Sequence, residues 1–145
     1  MDQNKERVIE WECTRVLKKF CLFNDRKQSN ALAKLFTPDG VWIRLGITLK
    51  GRRAIREAMD HRPATAIHLH ILSNVLVSVI DPHHAESSSY KTIYYLKAEK
   101  KLGKPLPLYG PTWVSIYQDE FLRTEEGWRI SKMRGTTLYD SGSSE

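Results

Sequence analysis

The stretch Ile67-His68-Leu69-His70-Ile71-Leu72-Ser73-Asn74-Val75-Leu76-Val77-Ser78-Val79-Ile80-Asp81 is rich in β-branched residues and unbroken by Gly or Pro, the pattern of a central strand. Side chains alternate across a strand. One face therefore carries Ile67, Leu69, Ile71, Ser73, Val75, Val77 and Val79, and it must pack on something. The other face carries His68, His70, Leu72, Asn74, Leu76, Ser78 and Ile80. Two imidazoles and a carboxamide among apolar neighbours suit the wall of a pocket; on this strand alone a solvated outer face with a few apolar neighbours is the slightly better reading.

Upstream of this strand the apolar period is helical; downstream it is two. Ile9, Cys13, Val16, Leu17, Phe20 and Asn24 recur at helical spacing and predict a long amphipathic helix over Arg7–Asp25. Asp25 lies at the edge of that stripe. A carboxylate at a helix C-terminus opposes the macrodipole, so Asp25 reads either as a helix-ending turn residue or as an acid placed there for another purpose. Ser29 is the expected cap of a short helix, Asn30–Phe36, and Pro38-Asp39-Gly40 the expected turn into a strand, Val41–Leu45. A second strand, Ile47–Lys50, a helix, Arg52–Asp60, and a loop around Pro63 follow. Beyond Ile67–Asp81, strands are expected at Ala85–Ala98, Tyr109–Thr124 and Gly127–Arg134, with a loop over Glu99–Leu108. Helices first and long antiparallel strands after describe an α+β domain.

The chain has 145 residues, enough for one domain with a real core. We expect a single domain over 1–138 and a disordered polar tail over 139–145. Its net charge of +6 is scattered, with local concentrations at Arg52-Arg53-Arg56 and Lys97–Lys104. That distribution reads as a solvated surface; a nucleic-acid partner is not expected, since no nucleic-acid motif accompanies it. No apolar run approaches the ~20 residues of a membrane span, and the charged N-terminus has no apolar signal core, so no membrane partner is expected and the expected compartment is cytoplasmic. Cys13 and Cys21 lie about 12 Å apart along one helix, too far for a disulfide, and read as core thiols.

Four stretches carry a resemblance in their order and spacing. The first is Phe23-Asn24-Asp25 followed by Leu32-x-x-Leu35-Phe36-Thr37-Pro38-Asp39-Gly40-Val41-Trp42; the second is Lys50-Gly51-Arg52-x-x-Ile55. The third is His70-Ile71-Leu72-Ser73-Asn74-Val75, and the last Tyr117-x-Asp119-x-Phe121-x-x-Thr124-x-x-Gly127-Trp128-Arg129-Ile130. Together, over roughly Ile9 to Arg134, they resemble the SnoaL-like branch of the nuclear transport factor 2-like superfamily. The resemblance implies a cone: a strongly bent, mostly antiparallel sheet wrapped around N-terminal helices, with a ligand pocket inside and a homodimer formed through the sheet.

That fold hosts polyketide cyclases, scytalone-dehydratase-like lyases, steroid isomerases and oxygenase small subunits, so fold alone does not name a function. The dehydratases carry an Asp late in the first helix and a His on the strand matching Ile67–Asp81. Asp25 and His70 stand on those positions, and the resemblance implies a catalytic role for them. The dehydratases' second His has no counterpart, since Thr112, Trp113 and Val114 occupy its region. Their water-binding tyrosines are also replaced, by Asn24 and by Trp42 or Ile43.

An Asp and a His in one apolar pocket form a general acid/base pair. Candidate substrate-binding residues are Trp42, His68, Asn74, Tyr95, Trp113 and Tyr117. The aromatics would supply flat walls for a small, hydrophobic, cyclic ligand, and Asn74, Tyr95 or Tyr117 an oxyanion donor; plain core packing is the better reading of each aromatic taken singly. His70 reads equally as a hydrogen-bonded core histidine. No metal is expected, because His83-His84 would point apart and His68 and His70 lack a third ligand. No cofactor is expected either, for want of a phosphate loop or dinucleotide fingerprint. Two functions stand: a cofactor-independent lyase, isomerase or cyclase, and a non-catalytic ligand-binding or dimerisation module such as an oxygenase small subunit. Asp25 separates them. Facing a pocket beside His70 it favours the enzyme; salt-bridged on the surface to Arg26 or Lys27 it favours the module.

Overall fold

The computed structural model describes residues 1–98 and 103–142. Helix α1 (Gln3–Asp25) is followed by the single turn α2 (Ser29–Ala33), strands β1 (Phe36–Arg44) and β2 (Ile47–Lys50), and helix α3 (Gly51–Asp60). Four long strands complete the chain: β3 (Ala66–Asp81), β4 (His84–Lys97), β5 (Trp113–Thr124) and β6 (Gly127–Asp140). One sheet holds all six strands in the order β2-β1-β6-β5-β4-β3. β1 and β6 are parallel and every other adjacent pair is antiparallel. The sheet curls without closing, so β2 and β3 are its edges. No described helix is long and apolar enough to cross a membrane.

Helix α1 packs on β3 and β6. Its stripe Ile9, Cys13, Val16, Leu17, Phe20 and Cys21 is buried against Phe36, Trp42, Phe121, Ile130 and Met133. Phe20 anchors this contact, meeting Trp42 edge-on with ring centroids 5.2 Å apart and Phe36 at 6.2 Å, the geometry aromatic quadrupoles favour. The helix starts earlier than Arg7 because Asp2 caps it, its carboxylate accepting the Asn4 N–H at 2.8 Å.

Several expected boundaries move. Ser29 is the first helical residue of α2, not its cap; Gln28 holds that position and makes no side-chain bond. Phe36 opens β1, so Pro38-Asp39-Gly40 is an irregularity inside a strand, where the register to β6 shifts between Phe36 and Val41. β5 begins at Trp113 and not at Tyr109. β6 runs to Asp140, with Val114 opposite Tyr139 and Trp113 opposite Asp140, so these two residues belong to the sheet and not to a tail. Of the expected loop and tail, 99–102 and 143–145 lie outside the described residues.

The largest correction concerns β3. Its register to β4 shifts between Ser73 and Leu76, and Asn74 sits there in the left-handed region at φ 52°. A bulge of one residue reverses which parity faces the core. Ala66, His68, His70 and Leu72 face inward before it; Val75, Val77 and Val79 face inward after it. The face read as one apolar stripe is therefore split. Val75-x-Val77-x-Val79 packs in the core, and the exposed outer face is Leu69, Ile71, Leu76 and Ile80.

Candidate active site

Asp25 is the last residue of α1, and the packing of α1 on β3 brings it to the sheet's edge. An edge strand has backbone groups that no neighbouring strand takes. The N–H of His70 is one of these, and both Asp25 oxygens accept it, at 3.1 and 3.0 Å. Asp25 Oδ1 also lies 2.5 Å from His70 Nδ1. An ionised carboxylate only accepts, so Nδ1 carries the proton and Nε2 keeps the lone pair. Asp25 is bonded to neither Arg26 nor Lys27; its opposition to the helix dipole is offset by these bonds to β3.

His70 has a side chain only 5% exposed. Burial pushes its pKa below the ordinary value; the bond and charge of Asp25 pull it back up, and the positive charges of Lys91 and Arg62 add to the depression. The imidazole is thus held neutral, with its basic nitrogen available.

His70 lines a pocket between α1, β1, the start of β3 and the inner faces of β4, β5 and β6. The cavity is about 60 Å³, room for a few waters or the head of a ligand. Trp42, His68, Trp113 and Tyr117 line it. Tyr117 can stand there because its cross-strand partner is Gly135: a Cβ at Gly135 would come within 2.7 Å of Tyr117 Cζ. Tyr95 stands one layer back, its ring 4.9 Å from His68 and 5.7 Å from Trp113. It lines instead a wider groove, about 600 Å³, beside Leu106 to Tyr109, in which no described side chain repeats the Asp–His arrangement. Asn74 is not in the pocket; the bulge turns it outward.

The strand-based reading missed the pocket's cations. Arg62, in the loop after α3, donates to Asn24 Oδ1 at 2.5 Å. Its loop is tied to the end of α1 by Lys27 Nζ, which donates to the carbonyls of Pro63 and Ala64 at 3.1 and 2.8 Å. Arg44, at the end of β1, lies over the Trp42 ring at 4.5 Å. Both line the pocket. Only the Asn24-Asp25 pair at the end of the helical stripe hinted at this corner; a loop arginine has no period to betray it.

Beneath Tyr117 lies a second polar group of residues. Lys91 is fully buried, its Nζ 3.5 Å from the Tyr117 ring centroid and 4.2 Å from that of Phe20, a placement that favours a cation. Burial lowers its pKa, and Cys21 and Asp119 raise it in part. Asp119, 2% exposed, is pushed up to about 7 by burial, against the pull of Lys91, Ser87 and a backbone N–H bond from Arg134. Among the described residues no three His, Cys, Asp or Glu side chains gather as a metal site would need.

Solved structures with this arrangement of elements include a nuclear transport factor 2-like protein with a cystatin-like fold from Novosphingobium aromaticivorans, 24% identical, covering 98% of this chain and 90% of that one at a TM-score of 0.75. The hexachlorocyclohexane dehydrochlorinase LinA-type3 from Novosphingobium barchaimii is 16% identical, with 99% and 98% covered and a TM-score of 0.79. A protein of unknown function from Mycobacterium tuberculosis is 20% identical, with 94% and 76% covered and a TM-score of 0.79. At these identities the likeness is one of fold. Comparison with the curated proteins gives no match. The family model of the SnoaL-like domain matches residues 8–134, nearly all of the sheet and the helix that ends at Asp25, and the chain belongs to that family.

Proposed function

We propose that this chain is a cofactor-independent acid–base enzyme, a lyase, isomerase or cyclase acting on a small, largely hydrophobic, cyclic substrate. The observation that carries the reading is the Asp25–His70 contact at the pocket wall, with Nδ1 held by the carboxylate and Nε2 left as base. A fold shared by a dehydrochlorinase supports eliminations within that range.

In this reading Nε2 removes a proton from a carbon beside a carbonyl. The C–H electron pair moves into the carbonyl as an enolate, and Asp25 stabilises the imidazolium that forms. Arg62, Asn24 and Tyr117, which line the same pocket, would serve as donors to the enolate oxygen. The electron pair then takes the proton back at another carbon, expels a leaving group, or attacks a second carbonyl; these are isomerisation, elimination and cyclisation. Trp113, at the pocket wall, offers a flat surface against which the edge of a ring would rest.

The test is exchange of C–H protons for solvent deuterium in a panel of cyclic ketones and β-hydroxyketones, read by NMR. Enzyme-dependent exchange should fall by about 100-fold or more in His70→Gln, the scale of general acid–base catalysis. Exchange at the wild-type rate in His70→Gln, or none with the wild type, would favour the ligand-binding module instead.

We further propose a homodimer through the outer sheet face, on the exposed Leu69, Ile71 and Leu76 of β3 and Tyr90 of β4. The buried free thiols Cys13 and Cys21 accord with a reducing, cytoplasmic setting.

A further inference from the structure

The inner face of β4 places Ser87, Ser89 and Lys91 in the core, where apolar side chains would be less costly. Lys91 is 0% exposed. No ion pair joins it to a described carboxylate; Cys21 and Asp119 act on it only through space. Its Nζ meets instead the Tyr117 ring at 3.5 Å from the centroid, the Phe20 ring at 4.2 Å and the Met133 sulfur at 3.9 Å. Two aromatic faces hold an ammonium better than they hold an amine, since the ring quadrupole attracts a cation. A methionine of similar length would fill the same space without the cost of burying a charge. Packing alone therefore does not account for a lysine here.

What the charge reaches is the pocket. Lys91 is paired with Ser115 across β4 and β5, so Tyr117 is its diagonal neighbour, and the ammonium lies under that ring. Tyr117 lines the same pocket as His70. Its hydroxyl has no hydrogen-bond partner among the described residues, and unlike the hydroxyl of Ser89, its partner across the strands, it is not enclosed by protein. Gly135 on β6 leaves room for the phenol end, since a Cβ there would come within 3.0 Å of the hydroxyl oxygen. Burial and the charge of Asp119 push the phenol's pKa up, which by itself makes a weak donor. A cation under the ring acts in the opposite sense.

We propose that Lys91 is a positioning residue of this site: its ammonium, held under the Tyr117 ring, draws electron density from the phenol and makes the Tyr117 hydroxyl the principal donor to the substrate's developing oxyanion. This rests on the acid–base reading above and assigns its donor side. His70 Nε2 takes the carbon-bound proton, the C–H electron pair passes into the carbonyl, and the oxygen that gains the charge accepts the hydrogen bond of Tyr117. No bond of Tyr117 or Lys91 breaks. Lys91 touches no substrate and works through the ring alone. Asp119 is the counter-charge that lets the ammonium stay buried, and its own charge opposes Lys91 at the phenol.

The first measurement uses the unaltered chain. At pH 7.5 the ζ-nitrogen of Lys91, followed by nitrogen NMR, should be an ammonium; a neutral amine would overturn the proposal. The second replaces Tyr117 by a difluorinated tyrosine, whose phenol ionises well below that of tyrosine, and follows it by fluorine NMR against pH. In Lys91→Met/Asp119→Leu the phenol midpoint should rise by about one pH unit or more above that of the same label in the otherwise unaltered chain. A lysine that only fills space predicts the opposite sign, because that pair then loses only the carboxylate that pushes the phenol up. An unchanged or lower midpoint would therefore overturn the proposal. The third is the deuterium exchange described above. Tyr117→Phe and Lys91→Met/Asp119→Leu should each slow it by about tenfold or more, in kcat more than in KM. The three changes together should be no slower than Tyr117→Phe alone. Wild-type exchange in the charge-free pair, or fully additive losses, would count against Lys91 acting through the ring. Because both NMR measurements need no turnover, the two claims separate. An ammonium and a raised midpoint without any exchange refute the enzyme alone; exchange with a neutral Lys91 or an unraised midpoint refutes the role of Lys91 alone.

Discussion

Asp25 does two things that different substitutions separate. It accepts the free-edge N–H of His70 and it holds the imidazole. Asp25→Leu strips both and leaves a half-buried N–H without an acceptor, so we expect a loss of about 1–3 kcal/mol in urea denaturation. Asp25→Asn keeps an oxygen for the N–H. It should cost well under half as much, yet lower turnover as sharply as His70→Gln, because it no longer supports an imidazolium. Equal stability of the two variants would show that the backbone bond is unimportant. The pH dependence follows from two opposite shifts. His70 is depressed below 6.5 in the folded chain, so as pH falls through about 6.5 the unfolded chain takes the proton first. Its contribution to stability is complete above that pH and is lost on the way down to the folded value. Asp119 runs the other way: its folded pKa of about 7 exceeds the unfolded 3.8, so its contribution is complete below about 4 and is lost as pH rises through 7. Stability measured from pH 4 to 8 should therefore lose its lower limb in His70→Gln and its upper slope in Asp119→Asn; unchanged profiles would refute the assignments. At this scale Asp25 and His70 were readable only because a helix end and a strand could each be aligned to a family. Arg62 was not, since neither period nor motif marks it.

At the scale of elements, two close fits carry the pocket. Gly135 on β6 is small because Tyr117 on β5 lies across it. Gly135→Ala should push Tyr117 toward the cavity and cost about 1–3 kcal/mol, as overpacking does, with the Gly135→Ala/Tyr117→Phe pair no more stable than Gly135→Ala alone, since the close atoms include Tyr117 ring carbons and not only the hydroxyl. Recovery to wild-type stability in that pair would place the clash at the hydroxyl. Lys91 and Asp119 form the other fit. Removing one member leaves the other buried without its counter-charge, so Asp119→Leu should destabilise by about 3 kcal/mol, while Lys91→Met/Asp119→Leu should lie close to the wild type. Additive single effects in a double-mutant cycle would show the two to be uncoupled. The element order was readable from the switch between helical and strand periods. The bulge at Asn74 was not: strict alternation through Ile67–Asp81 reads as one continuous strand, and only the tolerance of Asn for the left-handed region hints that the parity changes there. That one residue moved Asn74 out of the candidate site and Val75, Val77 and Val79 into the core.

At the scale of the whole molecule, the bulge decides which surface is left to associate. Because β3 changes parity, its outer face carries Leu69, Ile71, Leu76 and Ile80, and β4 adds Tyr90 directly across from Ser73. Leu69, Ile71 and Leu76 are 52%, 46% and 66% exposed, a side-by-side exposure that isolated surface apolar residues do not produce. An interface there would need roughly 800 Å² on each partner to be stable, which the long strands β3 to β5 can supply. The expected outcome is a particle of twice 16.8 kDa in sedimentation equilibrium at micromolar concentration, with a melting temperature that rises with protein concentration, as mass action requires of a dimer. Ile71→Glu/Leu76→Glu sets charges into that face without touching the pocket, and should give the monomer with a concentration-independent melt. A wild type that sediments as a monomer would refute the dimer. A double variant that stays dimeric would move the interface off this face. Because Asp25 caps the free edge of the same strand from the inner side, the monomeric variant is also the one in which to ask whether burying the outer face of β3 steadies His70: unchanged exchange protection of the His70 N–H would mean that the two faces of the strand act independently.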